Sequence, residues 1–306
     1  ISTIPLMGQE KVVMRILATP DKAPTFSDLG FLGLQLKIIE KNVHKPNGMF
    51  LLTGPTGSGK STTLFAFLSF LNQEDVNIAT LEDPVEYYIP GVNQSQIRPE
   101  VNFTFASGLR ALLRQDPDII MVGEIRDNET AELAIHAGLT GHSVLTTLHT
   151  NSAIGAIPRL FDMKVEPFLL ASTINAVVAQ RLVRKICLKC KVEDKLPAEV
   201  EATLKEHLST IPDEAFYGEV DKNSFTFYKG KGCASCAQTG YKGRLSIAEA
   251  IHVTRGFKDI IAKGFDRGEV DKELAKQKFI TMEQDGVIKA LLGMTTIEEI
   301  MRVSKM

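Results

Sequence analysis

Long apolar runs are missing. Nothing in the 306 residues approaches the roughly 18 consecutive apolar positions that a membrane-spanning helix needs. No sign of charge is in excess either. Lys and Arg number 35 against 37 Asp and Glu, a net charge of -2. That excludes a protein dominated by a basic nucleic-acid-binding face, although not a local patch. Cysteine is scarce, and four in a chain of this length do not make a disulfide scaffold. With 23 Gly and 13 Pro the chain is neither collagen-like nor disordered. No basic start precedes an apolar core, so no signal peptide is read. What remains is the composition of an ordinary globular protein, 44% apolar and 24% charged, long enough for about two domains. The opening Ile1-Ser2-Thr3-Ile4-Pro5 reads as the inside of a folded unit, so a piece cut from a longer protein is expected.

Along the chain, residues 1–19 are β-like, with Val12, Val13, Ile16 and Leu17 among Lys11 and Arg15. A polar stretch from Thr19 to Thr25 reads as a linker. Ser27-Asp28 can cap a helix running to about Val43. From there short apolar segments alternate with helical ones. Strands are expected at 49–53, 78–81, 119–122 and 143–147, and helices at 61–71, 106–114 and 130–138. This alternation argues for an α/β fold with a mostly parallel sheet. Residues 187–243 break the rhythm and hold all four cysteines, with a helix at 199–208. From about 245 to 306 the sequence reads as mainly helical.

Residues 54–61 read Gly54-Pro55-Thr56-Gly57-Ser58-Gly59-Lys60-Ser61 between a strand and a helix. This is the phosphate-loop pattern in its required context. Its glycines let the backbone wrap phosphate oxygens, and its N–H groups with the helix N-terminus supply positive potential. Lys60 would reach the β and γ phosphates, and the Ser61 hydroxyl would hold Mg²⁺. The bland alternative is a Gly-rich turn that binds nothing. The loop names a nucleoside triphosphate, not a reaction class. No N-K-x-D guanine-reading motif is present, which favours adenine; a small-molecule kinase stays open on this ground alone.

Hydrolysis needs a metal clamp and an ordered water. Glu124 follows the apolar strand 119–122, at the edge of an open α/β sheet where ligands bind, and can hold Mg²⁺ directly or through water. Glu82, Asp83 and Glu86 crowd the end of another strand. Such a cluster is either solvated or set near a cation, and Glu86 can orient the attacking water. His142 and His149 bracket the strand 143–147. Each can hydrogen-bond a γ-phosphate or a water, or be merely structural.

Together these segments resemble one family, the secretion ATPases of type II secretion and type IV pilus assembly, often called GspE and PilB. Gly54–Thr62 is similar to its Walker A loop, and Thr80-Leu81-Glu82-Asp83-Pro84-Val85-Glu86 to its Asp box. Leu113–Asp118 with Gly123-Glu124-Ile125-Arg126-Asp127 is similar to its Walker B region. Leu139-Thr140-Gly141-His142 and Thr147-Leu148-His149-Thr150-Asn151 are similar to its His box, and Ala179-Gln180-Arg181-Leu182 is also familial. The resemblance implies a RecA-like P-loop core at 32–186 in a homohexamer, with ATP held between two domains. It implies Glu86 as the catalytic carboxylate, Glu124 as the Walker B glutamate, and His142 and His149 on the γ-phosphate side. It further implies that 1–19 is the tail end of an N-terminal α+β, PAS-like domain, followed by a linker at 20–31. Arg15 then falls at a position that supplies an arginine to the phosphates.

Cys187-x-x-Cys190 and Cys233-x-x-Cys236 are two knuckles separated by 42 residues. Paired thiolates at this spacing can close a tetrahedral Zn²⁺ site. Usual knuckles stand about 15–20 residues apart, so a structured insertion must fill the gap. Disulfides or free thiols are the alternatives; a cytosolic ATPase would argue against disulfides. The run Gly232–Arg244 resembles the family's tetracysteine segment, which pilus-extension and type II secretion motors typically carry and retraction motors typically lack. The expected whole is thus a P-loop core, a zinc-binding insertion at 187–243 and a helical C-terminal part at 244–306. Its cofactors would be ATP, Mg²⁺ and Zn²⁺. It would work in the cytoplasm beside the inner membrane, on a membrane platform protein, without membrane insertion or nucleic acid. A retraction or DNA-uptake motor, a kinase, and a zinc scaffold that binds ATP without turnover are the rivals.

Overall fold

In the computed structural model, residues 2–14, 22–218, 220 and 226–304 are described. The chain opens with an antiparallel hairpin, β1 (Ser2–Leu6) and β2 (Gln9–Val13), exposed from Thr3 onward. Arg15, offered above as a phosphate-side arginine, lies outside the described residues, as do the first two positions of the expected linker. Helix α1 (Gly33–Val43) starts later than Ser27-Asp28 suggests. Asp28 is spent on a local turn, its carboxylate accepting from the backbone N–H and hydroxyl of Thr25. Gly30 then turns left-handed at φ 99° while Phe31 is driven wholly into the core, which breaks any continuous helix.

The central units follow as β3 (Gly48–Thr53), α2 (Lys60–Leu71), β4 (Ile78–Glu82), β5 (Asn93–Gln96), α3 (Phe105–Leu112), β6 (Ile119–Val122), α4 (Asn128–Leu139) and β7 (Ser143–Leu148). Two short helices, α5 (Ala156–Asp162) and α6 (Pro167–Thr173), lead into the long strand β8 (Ile174–Ile186). Next come β9 (Lys191–Asp194), α7 (Ala198–Ser209), β10 (Phe227–Gly230) and β11 (Tyr241–His252). Helices α8 (Arg255–Ala262), α9 (Arg267–Lys276), α10 (Met282–Leu291) and α11 (Ile297–Ser304) complete the described chain.

Seven strands form one sheet in the order β11-β8-β3-β7-β6-β4-β5. All neighbours are parallel except β8 and β11. Every residue of β3 is buried, as expected of a parallel strand covered on both faces. Its period of two sends Phe50 and Leu52 to one side, against Leu64, Phe67 and Leu68 of α2 and Ile39 of α1. Met49 and Leu51 go to the other side, with Ala131, Ala134 and Ile135 of α4. A third cluster joins Leu204 and Leu208 of α7 to Val287, Ile288 and Leu291 of α10 and Ile300 of α11. The segment between the cysteine pairs therefore shares its core with the C-terminal helices.

Five strands lie outside the sequence reading, β5, β8, β9, β10 and β11, and two of them bear on the site. β8 was not anticipated, and β11 carries the sheet past residue 243 into the stretch expected to be helical, where helix begins at Arg255. Each hides for its own reason. β8 is buried on both faces, so it shows no alternation. β11 buries Ser246 and Glu249 among Ala248, Ala250 and Ile251, which masks its apolar run.

Candidate functional site

The phosphate loop joins β3 to α2 in the manner its sequence dictates. Gly59 caps α2 at φ 93°, and a Cβ there would meet the side chains of Gln180 and Leu182 at 3.1–3.2 Å. Gly54 stands at φ 149°, where a Cβ would approach the Gln180 carbonyl to 2.6 Å. Gln180 of β8 underpins the loop. It donates to the Ser58 carbonyl at 2.8 Å and accepts from the Thr63 hydroxyl at 3.0 Å. The Lys60 ammonium donates to the carbonyls of Gly54 (2.8 Å) and Pro55 (3.2 Å). Burial lowers its pKa, and the nearby Glu124 works in the opposite direction.

The loop opens on a cavity of about 860 Å³. Thr56, Gly57, Gly59, Lys60, Ser61 and Thr62 face it, while Gly54, Pro55 and Ser58 build the loop behind. The opposite wall carries Glu82, Asp83, Glu86, Glu124, Arg126 and His149. These come from the ends of β4, β6 and β7, the C-terminal edge where open α/β sheets bind ligands. Glu124 accepts from Arg126 and from His149 Nε2 at 2.9 Å. Arg126 also reaches Asp83 at 3.4 Å. Burial pushes the Glu124 carboxyl up, but the Arg126 and His149 contacts outweigh it and hold its pKa below the usual value. Glu124 thus stays ionised, which suits a cation or metal-water ligand better than a base. Glu82 behaves differently. Burial raises its pKa, although the Gln94 amide (2.9 Å) and the Thr80 hydroxyl (2.7 Å) both donate to it.

His149 and His142 part company. β7 runs between them, so the two lie about 23 Å apart along the strand at the rise of ~3.3 Å per residue. His142 sits at the N-terminal edge of the sheet, its ring Nδ1 3.0 Å from the Ala137 carbonyl at the end of α4. Within this chain it is not brought to the phosphate loop, because a parallel strand sends its two ends to opposite edges. Sequence reasoning gave no role to Arg126, Gln180, Leu182 or Arg244, all of which belong to the cavity or its floor. Arg126 and Gln180 stand inside segments already singled out, two residues after Glu124 and beside Arg181, and that adjacency was the available signal.

The four cysteines meet. Cys187 follows β8, Cys190 precedes β9, and Cys233 and Cys236 precede β11. Their Sγ atoms all lie within 4.8 Å of one another, with Cys187–Cys233 at 3.8 Å, Cys190–Cys236 at 3.9 Å and Cys233–Cys236 at 3.7 Å. A tetrahedron of thiolates at 2.3 Å from a central ion has an edge of about 3.8 Å. The donor set therefore fits a tetrahedral, sulfur-preferring cation. Backbone bonds cross-tie the knuckles, from Cys187 N–H to the Gly240 carbonyl (2.9 Å) and from Lys231 N–H to the Cys190 carbonyl (3.0 Å). Burial pushes the Cys190 thiol up to about 12. At Cys236 burial acts the same way, but N–H groups of Cys233 and Gly240 favour the thiolate and bring it to about 6.

Comparison with known proteins places this geometry. A sequence model of the family described as Type II/IV secretion system protein matches residues 1–302. The type IV pilus assembly ATPase PilB of Thermus thermophilus is 47% identical over 302 residues, which cover 98% of this chain and 33% of that protein. The type II secretion system protein E of Pseudomonas aeruginosa is 45% identical over 305 residues, covering 100% of this chain and 58% of that protein. A solved structure of the pilus retraction motor PilT with bound ADP matches with a TM-score of 0.66 at 28% identity, over 94% of this chain and 68% of that one. The chain spans a third to just over half of these two curated relatives.

Proposed function

The chain belongs to the type II/IV secretion system protein family, and from that premise we propose that it is the ATP-hydrolysing core of a motor that drives assembly of a type IV pilus or a type II secretion pseudopilus. The observation that carries this reading is the convergence of the phosphate loop, Glu86, Glu124 and His149 on one cavity. Lys60 neutralises the β and γ phosphates, and the loop N–H groups bind the remaining oxygens. Glu86 orients the attacking water and takes its proton. His149, held on Glu124, presents its ring to the γ-phosphate side. Ser61 and Glu124 offer oxygen donors on one cavity, as Mg²⁺ prefers. Bound there, Mg²⁺ would draw charge from the phosphate oxygens.

The four cysteines hold a structural Zn²⁺, since four thiolates leave no coordination position open for water. Six copies form the working ring beside the inner face of the cytoplasmic membrane, and a membrane platform protein receives the motion. Among the described residues no helix is long and apolar enough to cross a membrane. The match to a retraction motor keeps a second reading alive, that of a retraction or DNA-uptake motor. The cysteine cluster and the higher identity to assembly and secretion relatives favour the first.

The test separates binding from turnover. Glu124→Gln and Glu86→Gln should still bind a fluorescent ATP analogue, while hydrolysis slows at least about 10²-fold in each, in Glu86→Gln as the low end for a positioned acid–base group and in Glu124→Gln through loss of the ionised cation ligand. Near-normal turnover in both variants refutes the assignment.

A further inference from the structure

One buried carboxylate lies outside the cavity and holds the loop that follows His149. Glu249 lies in β11, opposite Ala179 of β8, and is 6% exposed. Its Oε1 accepts from the backbone N–H of Ala153 at 2.6 Å, and its Oε2 from that of Met282 at 3.2 Å. Ala153 is four residues beyond His149 on the loop leaving β7. Met282 is the first residue of α10, and its N–H has no partner within the helix. Two further ties hold the same loop. Thr150 N–H donates to the Thr53 hydroxyl at 3.0 Å, and Arg181 donates to Asn151 at 3.2 Å. Thr53 ends the strand before the phosphate loop, and Arg181 follows Gln180, which underpins that loop.

We propose that Glu249 is a positioning residue for hydrolysis, its two oxygens tying the His149 loop to the start of α10 and so fixing His149 on Glu124. The inference rests on reading His149 as part of the hydrolytic site. A carboxylate suits the task because it presents two acceptors and no donor to two buried N–H groups. A glutamine of the same shape offers one acceptor and turns an NH₂ toward the other N–H. It therefore breaks one tie while leaving the packing in place. The far end of α10 leads to the cysteine module, where Ile186 N–H donates to the Met294 carbonyl at 2.9 Å and Lys191 to the Leu292 carbonyl at 3.4 Å. The clamp thus sits between the catalytic loop and the helix that backs that module.

The test uses the purified full chain as wild type, Glu249→Gln, Glu249→Ala, His149→Ala and the Glu249→Gln/His149→Ala double variant. Amide exchange at 149–153 and 281–283 reads the tie without reference to activity. Exchange there should rise about tenfold in Glu249→Gln, which leaves one neutral hydrogen bond in place of two charge-assisted ones, and further in Glu249→Ala, which leaves none, with β3 and β6 unchanged. Steady-state kinetics reads the consequence. The kcat should fall about tenfold, the KM for ATP should stay within about threefold because the phosphate loop is untouched, and the double variant should be no slower than His149→Ala. Unchanged exchange at 149–153 in both Glu249 variants overturns the tie. Losses in kcat that multiply in the double variant overturn its action through His149. If His149→Ala alone leaves turnover intact, the reading of His149 falls and takes the catalytic part of the proposal with it, while the exchange data still decide whether the clamp exists.

Discussion

Glu299 anchors the end of the chain to the strand that leads into the cysteines, and the strength of that anchor should be visible in acid. Its side chain is 1% exposed. It accepts from Arg184 N–H at 2.8 Å, from the Arg184 guanidinium at 2.7 Å, and twice from Arg302 at 2.9 Å. Arg184 in turn stacks over Tyr241, 4.1 Å from the ring centre. Burial pushes the carboxyl up, but Arg302 and Arg184 more than reverse this and hold it at about 2, against an ordinary 4.5. Fully realised, that gap is worth about 3 kcal/mol. Both arginines are about half exposed, and solvent screening cuts the figure to roughly 1.5–2 kcal/mol. Because the folded pKa is depressed, the stabilisation is complete above pH 4.5 and drains away as pH falls toward 2. Urea unfolding of wild type and Glu299→Gln at pH 7, 5, 4 and 3 measures it. The difference between the two should be about 2 kcal/mol at pH 7 and less than half of that at pH 3. Other carboxylates titrate alike in both proteins and cancel. A gap that stays constant from pH 7 to pH 3 would show a packing defect, not a lost charge, and would refute the reasoning.

Three further outcomes are expected. Lys60→Ala should weaken ATP binding at least about 100-fold in a nucleotide titration, because the phosphates lose the cation that the loop presents. Arg244→Ala should raise the KM for ATP severalfold with little change in kcat, since this guanidinium lines the cavity and has no carboxylate partner among the described residues. Metal analysis should find about one zinc per wild-type chain and close to none in Cys190→Ser, which should also be cut more readily by protease within 187–243 while ATP binding persists.

The sequence made the phosphate loop legible because its chemistry is local. Three glycines, a lysine and a serine must follow one another for the backbone to wrap phosphate, and the structure forms that loop at the predicted place. The cysteine pairs were legible for a similar reason, since each knuckle is a short turn and only the distance between turns was unusual. The carboxylates at the ends of β4 and β6 followed from the rule about sheet edges. What failed depended on contacts between distant segments. His142 and His149 look equivalent until strand direction separates them. Gln180 and Glu249 carry no motif, and their roles exist only because β8 and β11 pass behind the phosphate loop and the His149 loop. A buried glutamate on an edge strand reads as a helix-friendly polar residue until its two N–H partners are in view.

That arrangement changes how the cysteine module relates to the chemistry. The two are far apart in sequence, which suggests independence, and the sheet was expected to end before residue 187. β8 does end there, running past Gln180 beneath the phosphate loop to Ile186, one residue before Cys187, but β11 carries the sheet on beyond the last cysteine. The span from Gln180 to Cys187 is about 23 Å at ~3.3 Å per residue. β11 returns alongside it, passing Arg244 at the cavity before reaching Glu249 behind the His149 loop. The knuckles and the floor of the cavity therefore share one pair of strands, so that a shift of either along the strands would bear on the other. Such reciprocity is a requirement of any coupling between two sites. A register-holding pair of strands is a stiffer carrier for it than a loop, because slipping by one residue would exchange the two packed faces of each strand.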